Sequence, residues 1–206
     1  GLPDEAYYRE EAHAETLSAY EKHVAEMLEF LDPARLFGLG AEVAAHRIVG
    51  LEKELAAGHW DVVSTRDAVK TYHPCEFREL PTMTRALLSG GNLPEHRVVN
   101  MMPSYLEHFE DLFTSERMAD WQLWATWHIL RSRAAMLPEE VGAKNFEFYG
   151  TKLSGATQQR DRWKRAVGLA ESLVGEEIGQ VFVEKHFPAS SKREMDELVD
   201  YLIAAY

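Results

Sequence analysis

The sequence predicts an all-α fold: a multi-helix domain with long packed helices and at most one short strand segment. Three observations carry that expectation. Apolar side chains recur at steps of three and four along most long segments, which lines them up on one helical face. Proline, serine and acidic residues stand where helices should begin. Turn-forming dipeptides crowd into one stretch, from His59 to Asn100, while elsewhere breaks are spaced far enough apart for long helices. The 206 residues suffice for one large domain or two small ones. A chain of that length buries roughly 70% of the surface it exposes when unfolded, so a core needs no disulfide or metal. With 46% apolar and 27% charged residues, the balance is that of a globular protein and excludes disorder of the whole chain.

The first long helix is expected from about Glu10 to Leu31, with Leu17, Tyr20, Val24, Met27, Leu28 and Leu31 on its buried face. Asp32-Pro33 then marks a stop and restart. A second helix spans about Gly40 to Ala57, with Val43, Ile48, Leu51 and Leu55 as its buried side. Within the irregular stretch, two short helices are expected near Thr65 to Lys70 and Cys75 to Ser89, and Val98-Val99 is the one strand candidate. Pro103 opens a helix to about Phe113. Ser115 caps the next, to about Met136, whose residues Met118, Trp121, Trp124, Trp127, Ile129 and Leu130 cover most of its circumference and predict a largely buried helix.

Pro138 with Glu139-Glu140 reads as a further N-terminus, and Gly150 as its stop. A long helical pattern from about Thr157 to Lys185 contains Gly168, Gly175 and Gly179, which either admit another backbone or mark a break. Ser191 and Glu194 match a capping box for a last helix. Its stripe of Met195, Leu198, Val199, Leu202, Ile203 and Tyr206 runs to the final residue. That stripe is expected to be less covered than the tryptophan-rich helix. Its continuation to the end reads as a cut through a longer polypeptide. The opening Gly1-Leu2-Pro3 without methionine suggests a processed or engineered start, which leaves upstream signals open.

The formal net charge of −12 argues against nucleic-acid and anionic-membrane partners, because both surfaces repel it. Solubility is one reading of the charge; an acidic chamber that attracts basic peptides is the other. Cys75 is the only cysteine, which excludes an internal disulfide and favours a reducing compartment. No apolar run approaches the ~20 residues of a membrane span.

Candidate chemistry is sparse. None of the nine histidines is followed by Glu, and no two are four apart, so the helical zinc motif is missing. Glu10 and His13 have the spacing of one di-iron ligand pair, without the second pair that site needs. His73 lies two residues before Cys75, a nearness that alone gives no catalytic geometry. Gly150 to Gly155 lacks the Gly-Lys-Ser/Thr core of a phosphate loop and reads as a linker. Trp121, Trp124 and Trp127 suggest core packing before a stacking platform. Lys152, Arg160, Arg162, Lys164 and Arg165 form a basic cluster that can pair with acidic neighbours such as Asp161 or Glu171, or hold an anion. No catalytic, cofactor-binding or metal residue is assigned in this chain.

Six short blocks, in order, are similar to the helical, non-zinc domain of the neprilysin and endothelin-converting-enzyme family of zinc metalloendopeptidases. Leu2-Pro3 with Tyr7-Tyr8 resembles its Leu-Pro-x-x-x-Tyr-Tyr segment. Arg66-Asp67 and Thr71-Tyr72-His73-Pro74 resemble its Arg-Asp and Tyr-Asn segments, with His73 where many members have Asn. Val98-Val99, Pro103 and Tyr105-Leu106 resemble Val-Val-x-x-Pro-x-Tyr-Leu, with one extra residue before Pro103. Phe148-Tyr149-Gly150, Trp163-Lys164-Arg165 and the block from Gly175 to Phe187 complete the set.

The resemblance implies that residues 1–206 are a single helical domain, a fragment of a larger chain whose zinc domain lies beyond residue 206. It implies zinc in the full-length parent and none in this fragment, which alone would be inactive. This chain would then be the gate and wall of a chamber for peptide substrates, its partner the zinc domain of the same chain. The lack of cysteine pairs fits a bacterial, cytoplasmic member. The competing expectation is a stand-alone helical protein-interaction module that binds a partner helix with the stripe from Met195 to Tyr206.

Overall fold

A computed structural model describes residues 1–93 and 96–206. The chain divides into two compact units, Gly1–Gln158 and Gln159–Tyr206. The described residues are mainly helical, as the sequence predicts, with one small sheet in which the expected segment at Val98-Val99 pairs with a second strand that was not expected.

The first unit is built on α2 (Ala14–Leu28), α3 (Ala41–Ala57) and α6 (Met118–Arg133). A short α1 (Ala6–Arg9) precedes them. Tyr20, Val24, Met27 and Leu28 of α2 are buried against Ala44, Ala45, Ile48 and Val49 of α3 and against Leu123, Trp127 and Leu130 of α6. Each large apolar side chain so buried contributes about 1.5–3 kcal/mol. A second cluster joins Leu51 and Leu55 on α3 to Trp121 on α6 and to Tyr105, Phe109 and Leu112 of α5 (Pro103–Leu112). Because α3 and α6 serve both clusters, they fix the relation between them.

Two expected core positions are corrected. Val43 is 53% exposed. It lies roughly 140° around the helix from Ile48, and Ala44 and Ala45 take the contact with α2 instead. On α6 the stripe runs Leu123, Trp127, Leu130, with Trp121 turned to the second cluster. Ile129 and Met118 fall off both faces and are exposed, so the helix is covered on two sides, not all round.

Asp32 stops the chain after α2 as expected: its carboxylate accepts from the Ala34 N–H, and Pro33 opens a 3-10 turn, Pro33–Leu36. The irregular stretch departs further from expectation. In place of a helix near Thr65 there is a 3-10 turn, Ser64–Arg66. The Asp67 carboxylate then accepts from the N–H groups of Val69 and Lys70, a local bond that competes with helix. Cys75 lies in β1 (Pro74–Glu76), antiparallel to β2 (Arg97–Val99), with Cys75 opposite Val98. The expected helix begins only at Thr82, as α4 (Thr82–Gly90), after Pro81.

Pro138 caps α7 (Glu139–Phe146), but Gly150 does not end it. The chain continues as a π-helical turn, Glu147–Lys152, in which a Cβ on Gly150 would collide with the Phe146 ring.

The second unit holds α8 (Arg162–His186) and α9 (Ala189–Ala205). The backbone of Val174 leaves helical geometry (φ −137°, ψ 35°) beside Gly175, so of the two readings of the glycines a break is found there. A Cβ at Gly168, Gly175 or Gly179 would meet nothing within 4 Å. Pro188 starts α9 ahead of Ser191, which puts the expected capping box inside the helix. Met195, Leu198, Val199, Leu202 and Ile203 are all exposed, whereas Trp127 is fully buried.

Candidate functional site

The buried stripe of α3 carries one carboxylate. Glu52 follows Ile48 by four residues and precedes Leu55 by three, which places it on the face that enters the core, and it is 5% exposed. A buried carboxylate is costly unless hydrogen-bonded. Three donors converge on this one. Tyr8 from α1 donates to Oε2 at 2.8 Å, and Tyr20 from α2 donates to Oε1 at 3.1 Å. His128 Nε2, from α6, lies 2.9 Å from Oε1. Behind them Trp127 Nε1–H donates to the Tyr20 hydroxyl at 2.9 Å, and the Leu2 N–H donates to the Tyr8 hydroxyl at 2.8 Å.

The electrostatics follow from that arrangement. Burial works to raise the Glu52 pKa, but the hydrogen bond from His128, the nearby Gly1 amino group and the hydrogen bond from Tyr8 together hold it below the usual carboxylate value. Burial, reinforced by the Glu52 charge, pushes both phenols far up, so Tyr8 and Tyr20 remain protonated donors. The result is an ionised carboxylate clasped by hydroxyls from two helices and an imidazole from a third.

Glu52 and His128 are among the residues that line an open cleft of about 430 Å³ in the first unit. Trp60, Tyr105 and Trp124 supply aromatic lining, and Asp4 and Glu5 supply acid. Glu5 is paired by Arg9, whose Nε lies 3.0 Å away. Trp60 is held by a bond from its Nε1 to Ser104 Oγ, 2.9 Å, and carries Lys70 Nζ 4.4 Å from its ring centre. His59 packs on Tyr105 with ring centres 4.1 Å apart, and burial lowers its pKa.

The structure distributes the residues considered from sequence. His13 stacks on Tyr7 with ring centres 4.1 Å apart. Cys75 is half-buried in β1. Trp121 and Trp127 pack the two clusters, while Trp124 reaches the cleft. In the basic cluster, Lys164 pairs with Asp161 at 2.9 Å, and Lys152 lies 3.4 Å from Glu15. Among the described residues no group of three His, Cys, Asp or Glu is placed to hold a metal ion. No helix of the described residues is long and apolar enough to cross a membrane.

The blocks that resembled a family fall on structural joints. Leu2 and Tyr8 feed the Glu52 cluster. Phe148 stacks on buried His23 with ring centres 5.0 Å apart, and Arg131 sits over the Tyr149 ring at 4.2 Å. Arg66 ends the 3-10 turn and Asp67 caps it, and Val98-Val99 lies in β2. Trp163 stands exposed near the start of α8.

Fold and site together define an all-α scaffold whose helices are tied by one buried carboxylate beside an aromatic, acidic cleft. The N-terminal model of peptidase family M13 matches residues 1–206, the whole of this chain, and the chain belongs to that family. It is 27% identical to Neprilysin-2 of Drosophila melanogaster over 90% of this chain and 26% of that protein. It is 22% identical to the neutral endopeptidase of Lactobacillus helveticus over its whole length and 32% of that protein. Among solved structures, the zinc metalloprotease Zmp1 of Mycobacterium tuberculosis, in complex with an inhibitor, superposes with a TM-score of 0.84 at 40% identity. That match covers all of this chain and 32% of Zmp1. PepO of Lactobacillus rhamnosis shares the fold, with a TM-score of 0.80 over 98% of this chain and 33% of that one, at 20% identity. The chain thus spans about a quarter to a third of the proteins it matches.

Proposed function

We propose that this chain is the helical gate and wall domain of a neprilysin-like zinc metalloendopeptidase, enclosing a chamber for peptide substrates. The observation that carries the reading is the full-length match to the N-terminal model of family M13, joined to the 40% identity with Zmp1 over one third of that enzyme. Residues 1–206 act as one helical domain of a longer chain, and the zinc with its activating carboxylate belongs to a part of the parent beyond residue 206. There the metal would polarise the peptide carbonyl and activate water. The present chain supplies walls, and its exclusion of folded proteins is steric. Alone it binds no zinc tightly and cleaves no peptide. The charge of −12 supports peptide substrates over nucleic acid or anionic membrane. The lone Cys75 supports a reducing, cytoplasmic setting in a bacterium.

The test compares the 206-residue chain with a version extended by the parent's downstream sequence. Zinc content after dialysis and hydrolysis of a quenched fluorescent peptide are the readouts. The extended chain should hold zinc, cleave short peptides and spare folded proteins. Stoichiometric zinc or chelator-sensitive cleavage in the 206-residue chain overturns the reading. So does an extended chain that digests folded proteins as readily as peptides.

One observation favours a second reading, a stand-alone interaction module. The α9 stripe is exposed, with Leu202 and Ile203 at 62% and 70%. A stop codon directly after Tyr206 in the source gene would select it.

A further inference from the structure

We infer that the cleft over Glu52 binds the side chain of an arginine in a peptide. The inference rests on the chamber reading for the identity of the occupant, and on the cleft itself for the chemistry. Glu52 is ionised and buried, and its three donors are two phenols and an imidazole, with no Lys or Arg among them. Its Oε2 accepts one hydrogen bond where Oε1 accepts two, so the carboxylate retains capacity toward a further donor. Asp4 adds a second acid to the lining, while Glu5 is already engaged by Arg9.

The remaining lining is aromatic. A cation over an indole or phenol face is attracted by the ring quadrupole, and Arg stacks on such faces better than Lys. Trp60 already accepts a cation from within the chain, Lys70 at 4.4 Å. Tyr105 and Trp124 also line the cleft, each with one ring already packed on it, His59 at 4.1 Å and His128 at 4.2 Å. The Gly1 amino group lies 3.9 Å from Oε1, but burial lowers its pKa to about 6, so at neutral pH it leaves the carboxylate charge largely uncompensated. A guanidinium matches these features: a planar face against the aromatic lining, a hydrogen bond to the spare acceptor site of Oε2, and a charge opposite to the carboxylate.

The experiment is calorimetric titration of the 206-residue chain with a blocked Ala-Arg-Ala peptide and with its citrulline counterpart, which keeps shape and removes charge. Gly1 is acetylated so that its amine does not compete. The arginine peptide should bind roughly tenfold more tightly, and added salt should erode that difference. Trp124→Leu and Asp4→Asn, each checked by thermal melting, should each weaken arginine binding several-fold. Equal affinities for the two peptides, or no binding of either, overturn the inference without requiring any variant. Peptide cleavage by the extended chain with no arginine discrimination here would sink this inference and leave the gate reading standing. Arginine binding here with an inactive extended chain would sink the gate reading instead.

Discussion

Tyr8 and Glu52, 44 residues apart in sequence, are joined by a 2.8 Å hydrogen bond that fastens α1 to the buried face of α3. The bond is one of three on the same carboxylate, so its worth depends on what is left when it is removed. Loss of a donor to a buried charge leaves that charge less solvated, which costs more than the net value of an ordinary hydrogen bond. Tyr8→Phe should therefore destabilise the first unit by about 1–3 kcal/mol. Tyr20→Phe should cost at least as much, because it also strips the acceptor from Trp127 Nε1–H. Urea denaturation reads both; a change below about 0.5 kcal/mol in both variants would mean the cluster is ornamental.

A second prediction concerns acid. His23 is 4% exposed, stacked on Phe148 and edge-on to Trp127 and Tyr149, and its Nε2 is buried without a hydrogen-bond partner. Burial holds its pKa down at about 4, against an ordinary 6.5; Glu26 pulls it up and Lys144 pushes it down. The folded state thus resists a proton that the unfolded chain accepts. The contribution is intact above pH 6.5 and is lost as pH falls through about 4, amounting to about 3 kcal/mol over that window. His23→Phe should flatten the pH dependence of unfolding between pH 6.5 and 4 by that amount. An unchanged slope would show that His23 is solvated in the fold.

Side-chain truncations on α6 separate core from apparent core. Leu123→Ala should cost about 2–5 kcal/mol, since Leu123 is fully buried in the main cluster. Ile129→Ala should cost under about 1 kcal/mol, since Ile129 is 65% exposed. Equal costs at the two positions would contradict the facing assigned to this helix.

The helices were legible because their apolar residues repeat at helical spacing, as Tyr20, Val24, Met27 and Leu28 do. Hydropathy alone cannot choose among faces of a helix as apolar as α6, which is why Ile129 was misplaced and Leu123 overlooked. The strand at Pro74–Glu76 is too short to show alternation, and its partner lies beyond an intervening helix. Glu52 does not belong to a stripe defined by apolar residues alone. The signal was present: a carboxylate four residues after Ile48 and three before Leu55. What sequence could not supply was its partners, which arrive from α1, α2 and α6.

The exposed stripe of α9 predicts association. Met195, Leu198, Val199, Leu202 and Ile203 recur at helical spacing and are each at least 46% exposed. Apolar surface of that kind seeks cover. The 206-residue chain should self-associate at micromolar concentrations, and Leu202→Lys with Ile203→Glu should return it to monomer without moving the melting of the first unit. Sedimentation velocity decides it. A strictly monomeric wild-type chain would show that the stripe is covered within the molecule.

The last prediction sets two glycines against each other. A Cβ at Gly150 would run into the Phe146 ring, one turn earlier in the chain, where the π-helical turn brings backbone and ring together. The ring cannot withdraw freely, because the turn also carries Phe148, which packs against Tyr20 and His23 in the main core. Gly150→Ala should therefore force a shift and cost about 1–3 kcal/mol, as overpacking does. Gly179, on α8, has a backbone that any residue can adopt and open space where its Cβ would stand. There alanine removes only the entropic penalty of glycine, and Gly179→Ala should raise helix stability by up to about 1 kcal/mol. Hydrogen exchange of α8 amides and urea melting of the first unit measure the two effects separately. Should Gly150→Ala prove neutral, the tight approach of Phe146 is wrong. Should Gly179→Ala destabilise, something packs on α8 at that position.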